Sequence, residues 1–163
     1  MVVMNGVRKV NRFMQRAIEL SLENVRSGAG GPFAALVVRD GAILATGTNQ
    51  VTTSQDPTAH AEVVAIRGAC QAIHNFQLSD CELYTTCEPC PMCMGAIYWA
   101  RLARVYYANT RDDAAKIGFD DSFIYDQLVM PIAGRKIPMI GLMRDQAIEA
   151  FREWEKSQTK VKY

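Results

Sequence analysis

The sequence predicts an α/β domain, a mixed β-sheet with helices on both faces. Three observations predict it. Helical and strand-like patterns follow one another as helix, hairpin, helix, strand, helix, strand, and then helices. Residues 81–108 read as strand–helix–strand, which makes a parallel pair joined by a right-handed crossover. The 163 residues are 49% apolar, with no repeat, low-complexity stretch or linker, so residues 1–163 read as one domain.

Residues 10–27 read as an amphipathic helix, with Phe13, Ala17 and Leu20 at helical spacing and Met14, Ile18 and Val25 widening the stripe. The run Gly28-Ala29-Gly30-Gly31-Pro32 stops it. Residues 33–39 and 42–47 are β-rich and flank Asp40-Gly41, a two-residue hairpin signal. Residues 50–57 read as a polar loop. A helix over 58–74 follows, with Asp56 as N-cap and Pro57 at its first position. Residues 81–86 form a buried-type strand, Pro91 opens a helix through Ala100, and 105–108 form a further strand. Residues 112–116 read as helical and 122–130 are ambiguous. Residues 145–156 form a last helix with Ile148, Phe151 and Trp154 on one stripe. The pattern is least regular over 110–123, where a loop reaching a site could begin.

Net charge is +1, which argues against an extended nucleic-acid groove. No apolar run approaches the roughly 18 residues that span a bilayer, and the first residues carry no signal-peptide pattern, so the expected location is the cytoplasm. Five cysteines clustered around a C-x-x-C read as metal-bound thiolates in a reducing compartment rather than as a disulfide framework.

The chemistry is carried by His60-Ala61-Glu62 and, about thirty residues later, Pro89-Cys90-Pro91-Met92-Cys93. His60, Cys90 and Cys93 supply three zinc ligands. A structural zinc site takes four protein ligands; a catalytic one takes three and keeps a position for water or hydroxide. Cys90 and Cys93 lie three apart at a helix start, where the positive end of the helix favours thiolate. Glu62 lies about 200° around the helix from His60 at 3.6 residues per turn. That suits a proton shuttle beside the metal rather than a ligand. The pattern H-x-E…P-C-x-x-C is that of zinc nucleobase deaminases. Cys70 and Cys81 read as small core residues and His74 as a surface residue near a helix end. Cys87 is left out of the site because a fourth thiolate would close it.

Four stretches, 30–33, 56–62, 87–97 and 118–125 (Gly-Phe-Asp-Asp-Ser-Phe-Ile-Tyr), resemble the small bacterial guanine deaminases of the cytidine-deaminase-like fold. The resemblance runs from about Phe13 to Tyr163. It implies a three-layer α/β/α sandwich with a five-stranded mixed sheet. It also implies a homodimer whose C-terminal segment, about 144–163, crosses to the partner, and the hydrolysis of guanine to xanthine and ammonia by one zinc per subunit. By the same resemblance Phe33 stacks near the base, Asn49 hydrogen-bonds the purine, Asp121 selects guanine, and Tyr163 lies over the partner's site. Read alone, Phe33 is a core strand residue, Asn49 a turn residue, Asp121 a helix cap and Tyr163 the end of a basic tail. The N-terminus is several residues longer than in the family and has no assigned role.

The same zinc pattern serves two other readings. One is a deaminase of another substrate: adenosine in tRNA, cytosine or guanosine. The other is a non-enzymatic zinc-stabilised binding module, which requires a closed four-ligand site.

Overall fold

A computed structural model describes residues 11–163. The predicted start of the first helix at residue 10, and the N-terminal extension, lie outside the described residues. The chain groups into two compact units, one ending at Asp121 and the other Ser122–Tyr163.

In the first unit, α1 (Arg12–Arg26) begins at Asn11, whose side chain accepts from the N–H groups of Phe13 and Met14. The strands β1 (Ala34–Arg39) and β2 (Ala42–Thr48) form an antiparallel hairpin. Its two-residue turn has positive φ at Asp40 (49°) and Gly41 (74°), as the Asp-Gly signal predicts. A short helix α2 (Val51–Ser54) comes next, then α3 (Ala61–Ile73), β3 (Glu82–Cys87), α4 (Pro91–Ala100), β4 (Arg104–Asn109) and α5 (Arg111–Lys116). Strand order is β2-β1-β3-β4, with β1 antiparallel to both neighbours and β3 parallel to β4 across α4, as the strand–helix–strand reading requires.

Side-chain alternation along β1 divides the core between two faces. Ala35 and Val37 pack with Ala61, Ala65, Ile66 and Ala69 of α3 and with Ile97 and Ala100 of α4. Leu36, Val38 and Tyr84 pack against Ala17, Phe13, Met14 and Leu20 of α1. The sheet is therefore covered on both sides, giving the three layers expected.

The expected five strands are four among the described residues. After β4 the chain turns helical at a capping box in which Thr110 and Asp113 satisfy each other's backbone N–H groups. The later apolar run 137–142 contains Pro138 and Gly141 and joins no ladder. The stripe on α1 is also narrower than predicted. Ile18 and Val25 are exposed, and the buried face is Ala17, Ser21 and Asn24. The predicted loop 50–57 holds the single turn of α2, where the Thr53 and Ser54 hydroxyls both donate to Gln50 O.

The start of α3 differs in a way that matters for function. Asp56 does not cap it. Its Oδ1 accepts from the N–H and the hydroxyl of Thr58, closing a local turn, and the helix begins three residues later than predicted with His60 as N-cap.

The second unit contains α6 (Ser122–Val129), a 3₁₀ turn (Ile132–Gly134) and α7 (Arg144–Lys156). The ambiguous 122–130 stretch is thus helical. Neither α6 nor α7 has a buried residue. Among the described residues no helix is long and apolar enough to cross a membrane.

Candidate metal centre

His60 and Cys90 occupy equivalent places, the N-caps of α3 and α4. Each has extended backbone and neither uses its side chain to cap its helix. Both side chains instead turn toward one point. Cys90 Sγ and Cys93 Sγ are each 3.5 Å from His60 Nδ1. A tetrahedral zinc with ordinary Zn–N and Zn–S lengths separates its nitrogen and sulfur ligands by about 3.6 Å. The three ligand atoms all lie within 4.8 Å of one another. Donor chemistry and spacing therefore both fit zinc, with Nδ1 as the imidazole ligand and three protein ligands rather than four.

Two helix N-termini converge on the thiols, and their partial positive charge favours thiolate. The interaction between the two sulfurs holds Cys90 low, at about 4, and the same interaction together with burial pushes Cys93 up. The hydrogen bond with Cys90 raises His60. Cys87 is different. Burial pushes its thiol up to about 11, and its Sγ donates to Thr110 O at 3.6 Å, so it faces away from ligand chemistry. Cys81 is in the core, Cys70 packs against it, and His74 is exposed at a helix end, as read from the sequence; the structure adds that His74 is the C-cap of α3, in the left-handed region.

Glu62 is 6% exposed, at the second position of α3. Its Oε2 accepts from Cys93 Sγ at 3.5 Å and its Oε1 from the Thr85 hydroxyl at 3.3 Å. Burial pushes its carboxyl above the usual range. The carboxylate thus lies at the edge of the metal cluster and outside it.

Two glycine contacts set the approach of the elements. A Cβ at Gly47 would lie 2.2 Å from Ala61 O and 2.6 Å from Ala65 N, so β2 and the first turn of α3 touch through backbone. A Cβ at Gly30 would lie 2.0 Å from Asn49 O. Asn49 is buried just after β2, its N–H donating to Phe33 O at 3.0 Å and its Oδ1 accepting from Val51 N. Phe33 meets Phe119 edge to face, ring centroids 4.9 Å apart. Asp121 is half-buried, its carboxyl raised by burial and then by the charge of Cys90. The Glu88 carboxylate accepts from Arg111 N at 3.1 Å and Glu88 N donates to Asn109 O, tying the end of β3 to the segment that leads to Phe119 and Asp121. Tyr163 belongs to the second unit and is 69% exposed.

The sequence reading missed Gly47, Thr85, Asn24 and Phe119 as contributors to this geometry. An isolated glycine in a strand pattern signals close backbone approach, so Gly47 had a signal. Thr85 had none, because every position of a doubly covered strand is buried whatever it does.

Residues 7–109 match the cytidine and deoxycytidylate deaminase zinc-binding region. The chain is 53% identical to a guanine deaminase of Bacillus subtilis over 151 residues, 93% of this chain and 97% of that protein. It superposes on a crystal structure of guanine deaminase from Bacillus subtilis with a TM-score of 0.91, at 52% identity, covering 94% of this chain and 99% of the other. A guanine deaminase from Nitrosomonas europaea superposes with a TM-score of 0.65 at 35% identity, over 86% and 81% of the two chains. A tRNA-specific adenosine deaminase of Agrobacterium fabrum is 42% identical, over only 55% of this chain and 61% of that protein. With three residues suited to zinc at two helix starts and likeness over nearly its whole length, the chain belongs to the cytidine and deoxycytidylate deaminase zinc-binding family, and within it to the guanine deaminases.

Proposed function

We propose that the chain catalyses the zinc-dependent hydrolysis of guanine to xanthine and ammonia. The observation that carries this reading is a three-ligand zinc cluster with a buried carboxylate beside it, 3.5 Å from the Cys93 sulfur. Likeness to guanine deaminases along nearly the whole chain supports the choice of base.

His60, Cys90 and Cys93 hold the ion, which when bound supplies a Lewis acid that activates water. Guanine C2 lies between two ring nitrogens and is electrophilic. Glu62 takes a first proton from the attacking water and passes it to a ring nitrogen, then takes the remaining proton of the added hydroxyl and passes it to the departing amine. Water's oxygen adds at C2 and the exocyclic C2–N bond then breaks, so guanine and water become xanthine and ammonia with no redox partner. The Thr85 hydroxyl holds one carboxylate oxygen of Glu62 and leaves the other toward the metal side. Phe33 forms a stacking wall, the Asn49 carboxamide hydrogen-bonds the purine, and Asp121 accepts N–H groups of the guanine edge. Adenine lacks the matching donors, so Asp121 would be left unpaired against it.

The chain works as one deaminase domain and assembles as a homodimer in the cytoplasm. Segment 144–163 crosses to the partner and sets Tyr163 over the partner's site. Exposure of Phe151 (72%) and Trp154 (47%) on α7 supports an apolar stripe that a second copy covers. The test is ammonia and xanthine release from guanine by the zinc-loaded protein. Release from guanosine, cytosine or tRNA adenosine, with none from guanine, would overturn the choice of substrate.

A further inference from the structure

Two polar side chains of α1, Ser21 and Asn24, are carried into the interior, and the reaction as described makes no use of the larger one, Asn24. Asn24 is 6% exposed and shares the buried face of α1 with Ala17 and Ser21. A carboxamide buried there without partners would destabilise the fold, and the ordinary occupant of such a face is apolar. Asn24 Nδ2 donates to Gly31 O at 2.9 Å and to Asn49 O at 3.0 Å. The two hydrogens of one amide nitrogen thus join the turn before β1 to the residue after β2.

Those two segments carry Phe33 and Asn49. Their backbones continue the tie: Phe33 N donates to Gly31 O at 2.8 Å and Asn49 N to Phe33 O at 3.0 Å. Gly30 supplies the room, because a Cβ there would lie 2.0 Å from Asn49 O and 3.0 Å from Asn24 Nδ2. With its carbonyl held by Asn24 and its side-chain oxygen by Val51 N, Asn49 is held at both ends.

We infer that Asn24 is a positioning residue for purine binding, setting the separation of Phe33 and Asn49 without touching the base. The inference rests on the guanine reading for the identity of the ligand. Phe33 and Asn49 grip the base and not the reacting atoms, so a loosened grip weakens ground and transition states alike. That appears in KM and leaves kcat in place.

The test uses the full-length, zinc-loaded protein with Asn24→Ala and Asn24→Asp, the second keeping the side-chain size while removing both donors. The expected result is a KM for guanine raised about tenfold or more, kcat within about twofold, and unchanged zinc content. Hydrogen exchange at the Phe33 and Asn49 amides is expected to be faster. An unchanged KM in a folded variant overturns the inference, as does a loss confined to kcat. If Asn24→Asp fails to fold, Asn24→Ala decides. If the parent protein leaves guanine untouched, the substrate reading fails, and the amide exchange rates then decide the positioning claim: unchanged protection at Phe33 and Asn49 overturns it.

Discussion

Residues 11–121 and residues 122–163 use apolar side chains in opposite ways. The first region buries Leu36, Val37, Leu78 and Leu83 completely, and its buried polar side chains are hydrogen-bonded. The second holds two helices without a buried residue, and Val129, Ile140 and Leu142 are each more than 80% exposed. Both regions are regular in backbone, so helix formation alone does not account for the difference. In the first, the sheet gives each amphipathic face something to pack on. In the second, apolar residues stay at a surface, which is the face the proposed second copy would cover. All the groups proposed for the reaction except Tyr163 belong to the region with its own core.

The comparison is broken most severely at Glu62. Glu62→Gln keeps the shape and removes the proton carrier, so kcat should fall about 10³–10⁴-fold while zinc content and particle size stay as in the parent. Turnover at the parent rate with zinc bound would remove Glu62 from the mechanism. A change in particle size would show that the two regions are not separable.

The reciprocal change is Phe151→Glu on α7. The expected outcome is a shift of the micromolar particle from dimer to monomer in analytical ultracentrifugation, with activity lost and zinc retained. A charge placed in an apolar interface is costly enough to dissociate it. A variant that stays dimeric and fully active would show that this stripe is not the interface.

Gly47→Ala sharpens the comparison inside the first region. The added methyl would press on Ala61 O and Ala65 N, in the turn that carries His60 and Glu62. Overpacking of this kind costs about 1–3 kcal/mol, so both melting temperature and kcat should fall. An unchanged melting temperature would mean that β2 and α3 are free to separate. Thr85→Val is milder. It removes the bond to Glu62 Oε1 with little change of volume, and kcat should fall roughly tenfold with KM held, Thr85→Ser restoring it.

Much of this was legible in the sequence because the responsible physics is local. The hairpin turn, the Pro91 helix start, the parallel β3–β4 pair and the His60, Cys90 and Cys93 cluster all follow from turn chemistry, periodicity and ligand spacing. The failures have a common form. Asp56-Pro57 satisfies the rules for a helix start, but a closer partner, Thr58, takes the Asp56 side chain, so His60 rather than Asp56 ends up at the N-cap. Asn24 looks like an ordinary polar helix residue until Gly31 and Asn49 arrive from elsewhere in the chain. Such roles depend on tertiary neighbours, which no window of sequence contains.

The smallest effect lies at α5, a helix of the first region that is held mostly by its own cap rather than by the core; of its residues only Ala114 is buried. Backbone and hydroxyl hydrogen bonds from Thr110, then Lys116, hold the Asp113 carboxyl down at about 2, below its ordinary 3.8. A depressed carboxylate contributes stability that is fully present above the unfolded value and is lost as pH falls through the folded one. Asp113→Ala should therefore lower the melting temperature slightly at pH 7. The gap to the parent should narrow only below about pH 4 and close near pH 2. A gap independent of pH over that range would mean that Asp113 acts through helix propensity and not through its charge. α5 would then resemble the helices of Ser122–Tyr163, which have no buried residue, rather than the core-packed, site-bearing helices α3 and α4.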